Sequence, residues 1–171
     1  GPTLTLLIDF KTNGESTYPV LREVLKNYTE MLTVYTDDST EAKAVSVIIS
    51  GSRPIDMIAA ESPRLVAVDG RLPDLYRDVS PHLIPLVSAS WRSAFSWNGR
   101  GAMPEDERAK LDKLVHKAHA QNRRLRFWGL PIFGTNVWPT LYEAGVDLLN
   151  ADNLQALRDF LLERRTAKPT D

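Results

Sequence analysis

Leu4-Thr5-Leu6-Leu7-Ile8-Asp9-Phe10-Lys11 is the stretch that decides how this chain is read. It is an apolar run, expected to be buried, that ends in a carboxylate and an ammonium. Asp9 and Lys11 lie two apart, so on an extended strand both side chains point to one face. An apolar strand with a charged pair at its C-terminal end is how an α/β protein sets a polar site at the mouth of its sheet. The same spacing also describes a surface ion pair, which contributes little by itself.

Outward from this strand the pattern repeats. Val45-Ser46-Val47-Ile48-Ile49-Ser50 is almost continuously apolar, which predicts a strand buried on both faces, and it runs into Gly51-Ser52-Arg53-Pro54. Leu65-Val66-Ala67-Val68-Asp69 stops at Gly70-Arg71. Leu83 to Ser88 is strand-like, and Pro81 and Pro85 mark it as irregular or an edge. Leu125-Arg126-Phe127-Trp128 and Val146-Asp147-Leu148-Leu149-Asn150 follow. Between the strands lie helical stretches. Thr17 reads as the N-cap of a helix running to about Tyr28, with Pro19 in its first turn and a stripe of Val20, Leu21, Val24 and Leu25. Ile55 to Ala60 forms a short helix. Pro104 to Gln121 has acids in its first turn and Leu111, Leu114, Val115 and Ala118 inward. Trp138 to Ala144 is closed by Gly145. A last helix runs through Leu162, and Arg164 to Asp171 are expected to fray.

This alternation predicts one α/β domain over 1–171, a parallel sheet with helices outside. Strand ends repeatedly carry polar groups: Asp9/Lys11, Ser50/Arg53, Asp69/Arg71, Ser88/Ser90, Trp128 and Asn150/Asp152. In a parallel barrel all of these converge on one rim.

The chain has 171 residues, 43% of them hydrophobic and 25% charged, with a formal net charge of -1. That is the composition of an ordinary globular domain with room for one core. Near-neutral charge argues against a dedicated nucleic-acid binder. No apolar run approaches the roughly 20 residues that a membrane span requires. With no Cys, disulfides, thiolate nucleophiles and thiolate metal sites are excluded.

Six stretches in order carry a family resemblance: Ile8-Asp9-Phe10-Lys11, Ile48 to Pro54, Val68-Asp69-Gly70-Arg71, Trp91-Arg92-Ser93-Ala94-Phe95-Ser96-Trp97, Arg124 to Trp128, and Ala144 to Asp152. Together the chain resembles the C-terminal part of the phosphatidylinositol-specific phospholipase C-like phosphodiesterases, near the glycerophosphodiester phosphodiesterases. The resemblance implies a TIM barrel that cleaves phosphodiesters with a divalent cation and a pair of His. It implies that Asp9 is a ligand to Mg²⁺ or Ca²⁺ and that Lys11 is a catalytic contact to the phosphate, roles that suit a carboxylate and an ammonium. Trp128 falls beside the substrate. Arg53 and Arg71 match positions for anion contacts or rim structure. Asp152, or else Asn150, holds the polar end of the last strand. Members of the family are often exported, so the resemblance points to an extracellular or periplasmic setting.

The departure from the family is large. Its His-rich motif, its Glu-x-Asp metal pair and its second catalytic His are absent. His82 lies in a Pro-flanked loop, and His116 and His119 lie on the long helix. A TIM barrel takes about 250 residues and eight strands. The expected fold is therefore a partial barrel, about the last five βα units, lacking the first three. Open sheet edges of this kind are expected to be covered by the N-terminal part of the barrel or by self-association. Three functions follow from this reading. The chain is the C-terminal portion of a metal-dependent phosphodiesterase acting on a phosphodiester small molecule or lipid, incomplete without the missing strands. Alternatively it is a binding or assembly module on a partial barrel, or a small open α/β domain that binds an anion at its strand ends.

Overall fold

A computed structural model describes residues 1–131 and 136–166. The elements in order are β1 (Leu4–Phe10), α1 (Gly14–Leu25), β2 (Val34–Tyr35), β3 (Thr40–Glu41), β4 (Val45–Gly51), α2 (Ile55–Ala59), β5 (Val66–Gly70), β6 (Leu86–Ser90), α3 (Trp91–Ala94), α4 (Glu105–His119), β7 (Arg124–Trp128), α5 (Val137–Glu143), β8 (Leu148–Leu149) and α6 (Leu154–Thr166). Single 3₁₀ segments cover Lys26–Tyr28 and Leu72–Tyr76. Six strands form one sheet in the order β1-β4-β5-β6-β7-β8, and every pairing between neighbours is parallel. β2 and β3 make a separate antiparallel ribbon. No helix among the described residues is long and apolar enough to cross a membrane.

The sheet is curled into a half-barrel, and one hydrogen bond shows by how much. Arg124 Nη1 on β7 donates to Thr5 Oγ1 on β1 at 2.9 Å. Four strand spacings separate β1 from β7, about 19 Å across a flat sheet. An arginine side chain cannot cover that distance, so the strands must bend round to meet.

Period-two alternation gives the sheet two distinct faces. Ile8, Phe10, Val47, Ile49, Val66, Val68, Val87, Ala89, Leu125 and Phe127 point outward into the main core, which is completed by the helices. Leu7, Ile48, Ala67, Leu86 and Leu148 point inward and form a small apolar layer inside the curl, plugged from below by Tyr35. Tyr35 and Ser46 share a hydrogen bond of 2.5 Å. Burial raises the Tyr35 phenol above its usual range.

The partial-barrel expectation describes this sheet, which has six parallel strands where five units were counted. Local details differ. The N-cap of α1 is Asn13, whose Oδ1 accepts from Ser16 N at 3.0 Å, and not Thr17. The helix thus starts four residues earlier, and Gly14 at its head lies too close to the Ser52 carbonyl for any Cβ. The predicted stripe is only half buried: Leu25 is inside and Leu21 partly so, while Val20 is 67% and Val24 49% exposed. Leu4 and Leu6 are exposed as well, so the opening strand is not buried along its whole length. All four belong to β1 and α1, at an open end of the sheet where no further unit packs on them.

β6 begins at Leu86 and sits inside the sheet, not at its edge. Pro81 and Pro85 precede it, so neither removes a ladder N–H, and the Pro85 carbonyl still accepts from Arg124 N at 2.9 Å. α6 extends to Thr166, so Arg164 and Arg165 are helical and not frayed. The remaining residues of that predicted tail, 167–171, lie outside the described residues.

Trp91, Phe95 and Trp97 neither plug the curl nor cover an edge. They pack with Phe127 on the outer face, Phe95 at 5.4 Å and Trp91 at 5.7 Å between ring centroids. Glu107 on α4 holds their loop, accepting from Ser96 N (2.9 Å), Ser96 Oγ (2.6 Å) and Trp97 N (3.0 Å). The Ser96 hydroxyl is the main cause that holds this carboxyl below its ordinary value of 4.5. A carboxyl lowered by folding stabilises above its unfolded value and loses that contribution as pH falls through the folded one. Glu107→Gln should therefore cost about 1 kcal/mol at pH 7, and thermal melts should show the gap closing as pH falls below the ordinary carboxyl value and through the lowered one.

Candidate functional site at the mouth of the half-barrel

Parallel strands all end at the same side of the sheet, and the inward residues nearest those ends form a polar belt. β1 supplies Asp9, β4 Ser50, β5 Asp69, β6 Ser88 and β7 Arg126, with Asn150 just past β8. The strand register sets Asp9 beside Ser50 and Ser88 beside Arg126.

Asp69 is the centre of the belt and is 1% exposed. Its Oδ2 accepts from Ser50 Oγ at 2.7 Å and from Arg71 Nη1 at 2.9 Å. Its backbone carbonyl accepts from Arg53 Nη1 at 2.6 Å and from Arg71 Nη1 at 3.1 Å. Arg53 and Arg71, which follow different strands, are thus drawn to one residue. Burial pushes the Arg53 guanidinium below its usual range, with neighbouring Arg71 adding to the effect and Asp69 and Asp74 opposing it. Asp74 fixes the turn after β5, with Oδ2 accepting from Arg71 N at 2.7 Å.

Lys11 Nζ donates to Asp9 Oδ2 at 2.5 Å. The lysine side chain is 82% exposed and the aspartate side chain 47%. Gly51 makes this arrangement possible. It has φ +71°, and a Cβ there would lie 2.3 Å from both Asp9 Oδ1 and the Phe10 carbonyl. Asp9 acts across the curl as well: its charge, with that of Asp69, raises the Arg126 pKa against the larger depression caused by burial.

A cavity of about 310 Å³ opens beside the belt, lined by Arg71, Leu72, Pro73, Ser88, Ala89, Ser90, Ser93 and Trp128. Arg71 and Trp128 therefore share one cavity. Arg53 lines a different one, of about 320 Å³, with Glu15, Asp56 and Arg77. At the last strand Asn150 is tied in, its Oδ1 accepting from Arg126 Nη2 at 2.6 Å and its carbonyl from Trp138 Nε1 at 3.2 Å. Asp152 is exposed and lies outside this network.

The residues present do not by themselves fit a divalent cation. Among the described residues no three His, Asp or Glu side chains group to hold one, and Asp9 is committed to an ammonium. Asp69 is surrounded by guanidinium groups. The histidines are elsewhere: His82 Nδ1 bonds Thr40 Oγ1 at 2.8 Å, and His119 Nε2 lies 3.0 Å from Asp147 Oδ2. Asp147 also accepts from Leu125 N at 2.8 Å, beside the start of β7 and away from the mouth.

With this geometry in hand, comparison with known proteins gives a coarse assignment. Residues 1–69 match the family described as AIM6-like phosphodiesterase domain. The likeness is to a phosphodiesterase-like family. The chain is similar to altered inheritance of mitochondria protein 6 of Eremothecium gossypii, at 30% identity over 179 residues, 92% of this chain and 46% of the relative. It is also similar to the altered inheritance of mitochondria protein 6 homolog of Arthroderma benhamiae, at 28% identity over 172 residues, 94% of this chain and 54% of the relative. The chain spans about half the length of the curated relatives it matches. No solved structure matches it. The stretch matched to the phosphodiesterase-like family holds Asp9, Lys11, Ser50, Arg53 and Asp69; Arg71, Ser88, Arg126 and Trp128 lie beyond it.

The polar strand ends read from the sequence include Asp9, Ser50, Asp69, Ser88 and Asn150 of this belt, but not Arg126. In sequence Arg126 stands in a run of positive charge with Arg123 and Arg124. The alternation along β7 carries the missing signal, since it puts Arg124, Arg126 and Trp128 on the face opposite Leu125 and Phe127. Arg123 is structural: it is 3% exposed and donates to the carbonyls of Asp74 and Val79. Because Asp69 offsets the charge of Arg71 inside the fold, Asp69→Ala should lower stability by about 2–3 kcal/mol, read as a shift in the urea midpoint.

Proposed function

We propose that this chain supplies the phosphate-binding part of a phosphoric diester hydrolase whose site is completed by strands from outside it. The observation that carries the reading is the convergence of Lys11, Arg71 and Trp128, from three different strands, on one end of the half-barrel. Lys11, Arg53, Arg71 and Arg126 outnumber Asp9 and Asp69 there, which suits a phosphodiester monoanion. Lys11 is free enough to turn from Asp9 toward a phosphoryl oxygen and offset charge that develops as the ester breaks. Arg71 orients the phosphate, and Trp128, 45% exposed, offers a face to the organic arm. A glycerophosphodiester or a phospholipid head group has this chemistry. The resemblance to phospholipase C-like and glycerophosphodiester phosphodiesterases supports the same substrate class.

Acid and base for the reaction, and most ligands to any Mg²⁺ or Ca²⁺ held in part by Asp9, come in this reading from the covering strands. Those strands pack on the exposed Leu4, Leu6, Val20 and Val24. The pairing of Asp9 with the Lys11 ammonium suits a second reading, a binding module without turnover.

Hydrolysis of glycerophosphodiesters and phospholipids by the complete gene product, with Mg²⁺ or Ca²⁺ supplied, separates the two. Lys11→Ala and Arg71→Ala should each lower kcat/KM by about 10²–10³. Phosphodiester binding without turnover in the unmodified protein assigns the chain to the binding module.

A further inference from the structure

Ser88 has no part in the reading above, and Arg126 enters it only as one charge among several. They are register partners on the central strands β6 and β7, so their side chains stand next to each other inside the curl. Ser88 is 0% exposed, and its Oγ is buried with no hydrogen-bond partner. A hydroxyl in that state costs free energy unless something arrives to pair with it. Ser88 also lines the cavity that contains Arg71 and Trp128. Arg126 is half-buried, and among the described residues its guanidinium makes one hydrogen bond, from Nη2 to Asn150 Oδ1 at 2.6 Å. That leaves donors of the fork without a protein acceptor among the described residues. A buried, unpaired hydroxyl that lines the Arg71 cavity and a half-buried guanidinium just behind that lining thus stand side by side on adjacent strands.

We infer that Ser88 and Arg126 form the floor of an oxyanion subsite, in which one phosphoryl oxygen of the phosphodiester accepts from the Ser88 hydroxyl and the Arg126 guanidinium while Arg71 holds the other. The inference rests on the reading of this mouth as a phosphodiester site. Asn150 is a positioning residue: it fixes one Nη and leaves the other edge of the fork for the ligand. Arg71 and Ser50 both donate to the Asp69 carboxylate, which offsets its charge toward the anion.

The test is titration of the complete gene product with bis(4-nitrophenyl) phosphate, a phosphodiester monoanion, and with inorganic phosphate, each variant being melted thermally in parallel. Ser88→Ala should weaken phosphodiester binding about 10-fold and melt no lower than the unmodified chain, because it removes an unpaired buried hydroxyl. Arg126→Gln should weaken binding about 100-fold, with Arg126→Lys recovering only part, since an ammonium cannot replace a planar fork. Asn150→Ala should weaken binding and add little on top of Arg126→Gln. Affinities unchanged within twofold in Ser88→Ala and Arg126→Gln, or a Ser88→Ala that melts lower with binding intact, would overturn the inference. If only Arg71→Gln weakens binding, the subsite falls and the phosphodiester reading stands. If the folded, complete gene product binds neither probe, both fall.

Discussion

A buried aspartate, with one guanidinium on its carboxylate and a second on its backbone carbonyl, is the interaction on which the mouth of this half-barrel depends. Asp69 sits at the end of a central strand, out of contact with water. An isolated carboxylate in that position would take up a proton or draw in solvent. Here it is met by Arg71 at its carboxylate and Arg53 at its carbonyl, and Ser50 from the neighbouring strand adds a hydroxyl. The turns that follow β4 and β5 are thereby pinned over one point. The cavity containing Arg71 and Trp128 owes its position to that pinning.

Much of this was legible in the sequence because strand periodicity survives without tertiary information. The run of Val45 to Ser50 reads as a strand buried on both faces, and Ser46 to Ser50 are all buried. Each strand ends in polar residues, and parallel pairing brings those ends to one side. What was not legible depends on packing across elements. Thr17 has the chemistry of an N-cap, yet Asn13 takes the role because Ser52 approaches Gly14 at the true start of the helix. Val20 and Val24 have the spacing of a buried stripe, but spacing does not say whether a neighbour exists to bury them. Asp152 and Asn150 are equivalent by position, and only the reach of Arg126 separates them.

The two faces of β7 illustrate the same division. Leu125 and Phe127 seal the outer core with Trp91 and Phe95, which is ordinary aromatic packing. Arg124, Arg126 and Trp128, one step out of phase, look inward at increasing height, from the Thr5 contact below to the open mouth above. A strand so charged on one face cannot lie against an apolar helix, so the pattern itself requires a lumen or water on that side.

The contact between Thr5 and Arg124 joins residues 119 apart in sequence, and this has a consequence for how the chain matures. A ribosome delivers β1 long before β7 leaves the exit tunnel. Local helices and the β1–β4 pair can form early, but the bend that draws the mouth together waits for two-thirds of the chain. Loops of that length close slowly and leave apolar surface uncovered meanwhile. Nascent copies are thus at risk of mispairing along β1 until synthesis has passed residue 124.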